Sequence, residues 1–472
     1  MKGQHYTQKT TVIFTDNDAL QHRLPSLNRS GLHFSPKITV LLSLRLQLSV
    51  TSHQHHPQQL YRHYGRHTIP PGLNGTVAQG SCSLICSLKM IDGRPGSYGF
   101  SKDKKMDQLN VVEVWKDLHQ MPELGFEEFK TSAYLAEKLE AMGYTVQRGI
   151  GGTGLLVTVR GEEPGPVVLL RADMDALPFQ NEDGSIERIH ACGHDAHSAM
   201  LLVTAQNLLG KVRRGTLKIF FQPAEETLGG ALSAVKAGVL DDVDYALGCH
   251  IRPVQDIPAG TLCAAVRHSA STFGEIHIHG RAAHGSRPHL GINCAEAAAM
   301  ATLGVCAIKC NPAQTWSVKV TSIQATSAAA NIIPDQAILK LDIRAQTNEL
   351  MDEILTKLRK VTDGVAETFG AEAEFVLPGI VIPAAVYDDD LTAEVGETIR
   401  EEIGSDKLWR DCGGGGEDFH FFAKERPHIK AAYFGVGVAC EPGLHNRNMH
   451  FDPEYLNNGV KVMTAMALKK VG

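Results

Sequence analysis

No apolar run in these 472 residues reaches the roughly 18 that a membrane-spanning helix needs. The best candidate, Ile38 to Val50, is short and carries Arg45 in its middle, so no membrane partner is expected. The ten cysteines form no regular framework. In a chain this long, that excludes a small disulfide-stapled scaffold and favours reduced thiols in the cytoplasm. No internal repeat at a solenoid period is present. Glutamate is absent from residues 1–105, where 13 Lys or Arg face only 4 Asp. The remaining residues reverse that balance with 33 basic against 48 acidic side chains. The main body is therefore acidic, and a nucleic-acid partner is not expected.

With 43% hydrophobic and 21% charged residues, the chain reads as globular. Its length exceeds what one core usually accommodates, so two domains are expected. Residues 1–105 lack sustained periodicity and hold eight of the 22 histidines. His53, His55 and His56 could form a metal tract, but a solvated, disordered extension is the plainer reading. The acid-poor composition also resembles a transit peptide, without the amphipathic helix that one needs. Regular patterning begins just after Met106, so the functional protein is expected to start near that residue.

From there, helical apolar spacing covers Val111 to His119, Phe126 to Met142 and Asp195 to Leu209. Strand-like runs cover Thr145–Arg148, Leu155–Val159, Val167–Leu170, Leu217–Gln222 and Tyr245–His250, with a further helix at Gly229 to Ala237. This alternation predicts an α/β catalytic domain with a mostly parallel central sheet flanked by helices. The pattern changes near residue 265. Strand-like Thr272–Gly280, Ser317–Ile323 and Ala337–Arg344 accompany helical Asn293–Cys310 and Asn348–Phe369. They predict an inserted α+β, ferredoxin-like domain over residues 265–375. Catalytic parts at 106–264 and 376–472 would flank it. The second part contains a helix near Leu391–Ile403, a strand near Ala431–Gly435 and a final helix from Pro453.

The chemistry-bearing residues cluster around His190-Ala191-Cys192-Gly193-His194-Asp195. Thiolate and imidazole suit zinc and related borderline metals. A lone Cys-x-His is weak, since buried free cysteines are common. Its position raises the odds, because Gly193 permits a tight bend where a helix starts. Arg171-Ala172-Asp173-Met174-Asp175-Ala176-Leu177-Pro178 follows an apolar strand, where such sheets bind ligands. Asp173 alone reads equally as a cap or turn residue, while Asp175 is the better candidate to orient a ligand. Glu225 and Glu226 follow a buried strand, where paired carboxylates are costly unless used. One can bind metal while its neighbour handles a proton. His250 ends a strand, and His445 follows Leu444 near the chain's end. Alone, each histidine is more often a core or surface residue. Cys249 should point to the opposite strand face from His250.

In this order and spacing, Arg171–Pro178, His190–Asp195, Gln222–Glu226, Gly248–His250 and Leu444-His445 resemble the amidohydrolase branch of metallopeptidase family 20. That branch includes hippurate hydrolases, N-acyl-amino-acid amidohydrolases and auxin-conjugate hydrolases. Leu118 to Leu124 also resembles its N-terminal signature, so the resemblance covers the chain from about Met106 onward. It implies that Cys192, His194, Glu226, His250 and His445 hold two divalent metal ions: zinc, manganese, cobalt or nickel. It makes Glu225 the general base and Asp175 a supporting carboxylate. The inserted domain becomes a lid and dimerisation domain. There His284 stabilises the reacting carbonyl, often from the partner subunit, and Asn331 and Arg344 hold the substrate carboxylate. The chain departs from the family at Arg281-Ala282-Ala283, usually glycine-rich, and at Gly416, usually serine, within the run Gly413–Gly416.

The resemblance implies hydrolysis of small N-acyl amino acids by a metal-bridged water whose proton Glu225 accepts. A homodimer through the lid is expected. A dipeptidase or exopeptidase on the same scaffold is the first rival, although such enzymes tend to carry other residues at Cys192 and His194. A catalytically silent metal- and ligand-binding homologue is the second. A thiol enzyme built on Cys192 is more distant, because nothing in the sequence suggests an oxyanion hole.

Overall fold

The structure, a computed structural model, describes residues 107–472. The expectations for residues 1–105, including the histidine tract and the run Ile38 to Val50, lie outside the described residues.

Eight strands make the larger sheet. In spatial order they are Val146–Ile150, Gly154–Arg160, Arg214–Gln222, Glu163–Asp173, Tyr245–Pro253, Lys430–Cys440, Leu262–Cys263 and Leu408–Trp409. The four middle strands are mutually parallel. The sheet as a whole is mixed, with four of its seven strand pairings parallel and three antiparallel. The first two strands pair antiparallel, as does the second with Arg214–Gln222, and Lys430–Cys440 pairs antiparallel with Leu262–Cys263. The first reversal has a local cause: only three residues separate its strands, and a parallel crossover needs a dozen or more.

Successive residues of the middle strands enter different cores. Val168 and Leu170 pack on one face with the helices His194–Leu208 and Leu456–Val471. Leu169 and Phe220 pack on the other with Gly230–Lys236 and Phe421–Glu425. That two-sided burial explains why these strands read as unbroken apolar runs. Each large side chain buried there contributes about 1.5–3 kcal/mol. Cys249 is buried in the first core, as the strand period required.

A second sheet has the order Trp316–Gln324, Gln336–Ala345, Ala270–His279 and Glu372–Val376, all antiparallel. Alternate residues Ile276, Ile278, Leu339, Leu341 and Ile343 form a separate core with the helices Cys294–Cys306 and Asn348–Phe369. The longer helix is capped by Thr347, whose hydroxyl accepts the Leu350 N–H at 3.2 Å, and it ends at left-handed Gly370. The opposite face carries mostly polar residues, as one-sided burial dictates, with Phe273 exposed among them. Among the described residues, no helix is long and apolar enough to cross a membrane.

Candidate metal centre

The parallel strands end in the chemistry. Asp173 closes one strand, Gln222 closes its neighbour, and His250 lies near the end of a third. Their loops meet at the N-terminus of the helix His194–Leu208. Gly193 makes the bend with φ 91°. A Cβ there would meet Ile251 Cδ1 at 2.3 Å, so a side chain has no room. The turn presents Cys192 and His194 side by side.

Cys192 Sγ lies 3.4 Å from His250 Nε2 and 3.3 Å from His445 Nε2. His445 Nε2 is 3.5 Å from Glu226 Oε1, and His194 Nε2 is 3.9 Å from the same oxygen. Glu225 Oε2 approaches His194 Nε2 at 3.8 Å. Ligand atoms about 3.3–3.8 Å apart are the edges of a tetrahedron around a metal with ordinary zinc bond lengths. Two groups, Cys192 with His194 and His250, and Cys192 with Glu226 and His445, share the thiol.

The other atom of each buried histidine is already committed. His194 Nδ1 donates to Asp175 Oδ1 at 3.1 Å, and His250 Nδ1 donates to the Ile251 carbonyl at 2.6 Å. Both rings therefore turn Nε2 into the cluster as a lone pair. Among the described residues, His194 Nε2 and Glu226 Oε1 are buried without any hydrogen-bond partner. An unpaired buried polar atom costs about 1–3 kcal/mol, and two of them facing one thiol fit a cation. Asp175 also accepts the backbone N–H of Glu225 at 3.1 Å and of Glu226 at 2.9 Å. One carboxylate thus orients a histidine and both glutamates.

The loop before Glu225 is held in an uncommon conformation. Ala224 has φ 55°, and His445 has φ 60°, a region that costs non-glycine residues about 1–3 kcal/mol. Buried Glu128 accepts the Ala224 N–H at 2.8 Å and the Thr153 hydroxyl at 2.5 Å. Sequence reasoning passed over Glu128, because the Glu127-Glu128 pair follows no strand and reads as part of the helical run from Phe126.

Arg171 is the other missed residue. Its buried guanidinium donates to Asp173 at 2.7 Å, Asp418 at 2.8 Å and Gln222 at 3.1 Å, and pairs with Glu417 at 3.1 Å. The Asp418 N–H in turn donates to Glu225 Oε1 at 3.2 Å. Asp173 is therefore neither a cap nor a turn residue. It binds Arg171 and His197, whose Nδ1 donates to it at 2.6 Å. His197 Nε2 accepts the Ile251 N–H at 3.0 Å. Both nitrogens are committed, so His197 is not a ligand despite lying near His194. Its signal was the spacing of three from His194 on one helix.

Electrostatics follow from the burial. Burial, then the Glu417 and Asp418 carboxylates, push Glu225 well above the usual carboxylate range. Burial pushes Glu226 up to about 7, against His194. It also raises Asp418, against Arg171. A glutamate tuned upward is suited to exchange protons near neutrality.

The structure brings Cys192, His194, Glu226, His250, His445, Glu225 and Asp175 together. His284, Asn331 and Arg344 lie apart from them. His284 sits in a two-residue strand paired with Ile332–Ile333, and its Nδ1 accepts the Ser286 hydroxyl at 2.8 Å. The Asn331 carbonyl accepts the Gly285 N–H at 2.7 Å beside it. Arg344 projects from the second sheet, 44% exposed, and donates to Asp342 at 3.0 Å. The departure at Gly416 has a packing cause. A Cβ there would lie 2.6 Å from Ile382 and 3.1 Å from Ser271 Oγ.

Comparison with known proteins places this geometry. The family described as Peptidase family M20/M25/M40 matches residues 169–469. Hippurate hydrolase of Campylobacter jejuni is 31% identical over 378 residues, covering 77% of this chain and 97% of its own. Thermostable carboxypeptidase 1 of Saccharolobus solfataricus is 31% identical over 381 residues, covering 76% and 95%. Among solved structures, a dinuclear metal binding peptidase of Bacillus subtilis aligns with TM-score 0.64 and 28% identity, covering 76% and 97%.

Proposed function

The chain belongs to peptidase family M20/M25/M40, and on that premise we propose that it is a metal-dependent amidohydrolase cleaving the amide bond of N-acyl amino acids. The observation that carries this reading is the pair of buried, unbonded atoms His194 Nε2 and Glu226 Oε1 beside Cys192. With His250 and His445 they supply a soft, mixed N, O and S donor set for two divalent ions of the zinc, manganese, cobalt or nickel type. Bound there, such ions supply Lewis acidity that polarises a carbonyl and acidifies water.

Glu225 is the residue left free to move protons. Its carboxylate, steadied by the Asp418 N–H, takes the proton from the attacking water and passes it to the departing nitrogen. Asp175 keeps His194 in the ligand tautomer. The four-stranded layer serves as the lid and as the surface for a homodimer. Its Arg344 offers a planar fork to the substrate carboxylate. Asn331, which precedes the other end of the strand that carries Arg344, is the second contact on the carboxylate side, and His284 steadies the carbonyl oxygen as charge develops. The location assigned with this function is the cytoplasm, where its thiols stay reduced. A carboxypeptidase is the second reading, favoured by the relative of that name.

One experiment addresses both. Metal content is measured alongside hydrolysis of N-acetyl and N-benzoyl amino acids and free dipeptides, with and without chelator. Chelator-sensitive release of amino acids from the acyl compounds is expected, restored by one of the four metals. A preference for peptides selects the second reading. Metal-replete protein that binds acyl amino acids without cleaving them removes both.

A further inference from the structure

The uncovered face of the second sheet ends against the catalytic loop. Ser271 and Phe273 share that face with Arg344 and Asp342, because Ser271 pairs with Arg344 and Phe273 with Asp342, and alternate residues share a side. The other side is fixed by Ile276, Ile278, Leu341 and Ile343, which fill the helix-covered core. Ser271 is 5% exposed, and its hydroxyl lies 3.1 Å from the point where a Cβ of Gly416 would stand. Gly416 is two residues before Asp418, whose N–H binds Glu225. The open face therefore begins at the floor that supports Glu225, and Phe273 is the next residue along its strand on that side.

Phe273 is 63% exposed. Its surroundings on that face are mostly charged, namely Arg344, Asp342, and the Glu275 and Lys340 pair at 3.7 Å, with half-buried Val376 as the apolar neighbour on the third strand. An isolated exposed apolar residue is ordinary, but this one stands diagonally across from Arg344. Diagonal cross-strand positions are about 7–8 Å apart, within reach of an aromatic and a long side chain. A carboxylate taken by Arg344 in place of Asp342 would bring the side chain on its α-carbon within reach of the ring.

We propose that Phe273 determines specificity, selecting N-acyl amino acids whose amino-acid portion carries a large apolar or aromatic side chain. This rests on the reading of Arg344 as the carboxylate partner. The ring would lose its water only when such a side chain covers it, and one or two extra buried carbons shift discrimination by about ten- to a hundredfold.

The test compares hydrolysis of N-acetylphenylalanine and N-acetylalanine by the metal-loaded enzyme, as wild type, Phe273→Ala and Phe273→Leu. Phe273→Ala is expected to lower kcat/KM for N-acetylphenylalanine about ten- to a hundredfold, mainly through KM, with N-acetylalanine changed by less than about threefold. Phe273→Leu should restore most of the difference. Equal losses on both compounds overturn the proposal. So does an unchanged ratio with a changed mass in solution, which assigns the ring to a contact between copies. If the wild type cleaves neither compound, equilibrium binding of the same two decides. Tighter, Phe273-dependent binding of N-acetylphenylalanine keeps the inference and removes the catalytic reading, whereas equal binding removes both.

Discussion

The two sheets hold their functional side chains in opposite ways. Around the larger sheet, Cys192, His194, Glu225 and His250 are buried, and the backbone or a carboxylate fixes the second polar atom of each histidine. Arg344 on the smaller sheet, and Asn331 and His284 at the short two-stranded pairing whose strands fall between that sheet's own in sequence, are exposed and, among the described residues, bond to near neighbours in sequence or strand. The first region is finished before a substrate arrives. The second has yet to find its partner groups. Prior fixation lowers the cost of bringing reacting groups together, while exposed arms let a site admit its ligand and then close over it. The difference assigns chemistry to one region and recognition to the other, and it can be broken by exchanging their mutational signatures.

The largest effect should come from the buried region. Glu225→Gln keeps the shape and removes the proton acceptor, so kcat is expected to fall by about 10²–10⁴ with metal content unchanged. Steady-state kinetics beside metal analysis checks this, and near-normal turnover would remove Glu225 from its role. Next is Arg171→Met. It leaves Asp173, Glu417 and Asp418 without their cation, and breaking a buried ion pair costs about 3–5 kcal/mol. Chemical denaturation should show that loss, and a variant as stable as wild type would mean the carboxylates share protons instead. Arg344→Ala should do neither. It is expected to raise KM by about ten- to a hundredfold with stability and metal content unchanged. If it instead lowers kcat as much as Glu225→Gln, the division between the two regions collapses.

Much of this contrast was legible in the sequence, for identifiable reasons. The helix Asn348–Phe369 was readable because its apolar stripe, its capping Thr347 and its closing Gly370 agree. Cys192, His194 and Asp175 were readable because short spacings next to a strand and a helix start carry local geometry. Arg171 lies 247 residues from Asp418, and no local pattern announces that contact. Glu128 acts on the loop at Ala224 through a backbone bond across 96 positions. The hairpin of Leu177–Gln180 with Ile186–Ile189 was missed because its strands are short and mostly exposed and the second lacks an apolar alternation. Its Asp183-Gly184 turn was a usable signal. The distance of His284 and Arg344 from the cluster depends on how two cores are set side by side, which residue order does not encode.

The smallest expected effect probes the seam between the sheets. Glu225 must be ionised to accept a proton, so activity falls as pH drops through its pKa. Burial and the Glu417 and Asp418 charges raise that pKa, so the acid limb of kcat/KM should lie above the usual glutamate value of about 4.3. Glu417→Gln removes one of the two charges. It also frees Arg171 from a partner held at 3.1 Å, leaving more positive field for the remaining carboxylates. Both changes favour ionised Glu225, so the limb should move to lower pH. The Tyr433 hydroxyl, which donates to Glu417 at 2.7 Å, can donate equally to an amide oxygen, so the fold should persist. A pH–rate profile of wild type and variant reads the result directly. A limb that stays in place would mean that the charges behind Glu225 serve the fold and not the proton, and that the buried region is less unified than its hydrogen bonds suggest.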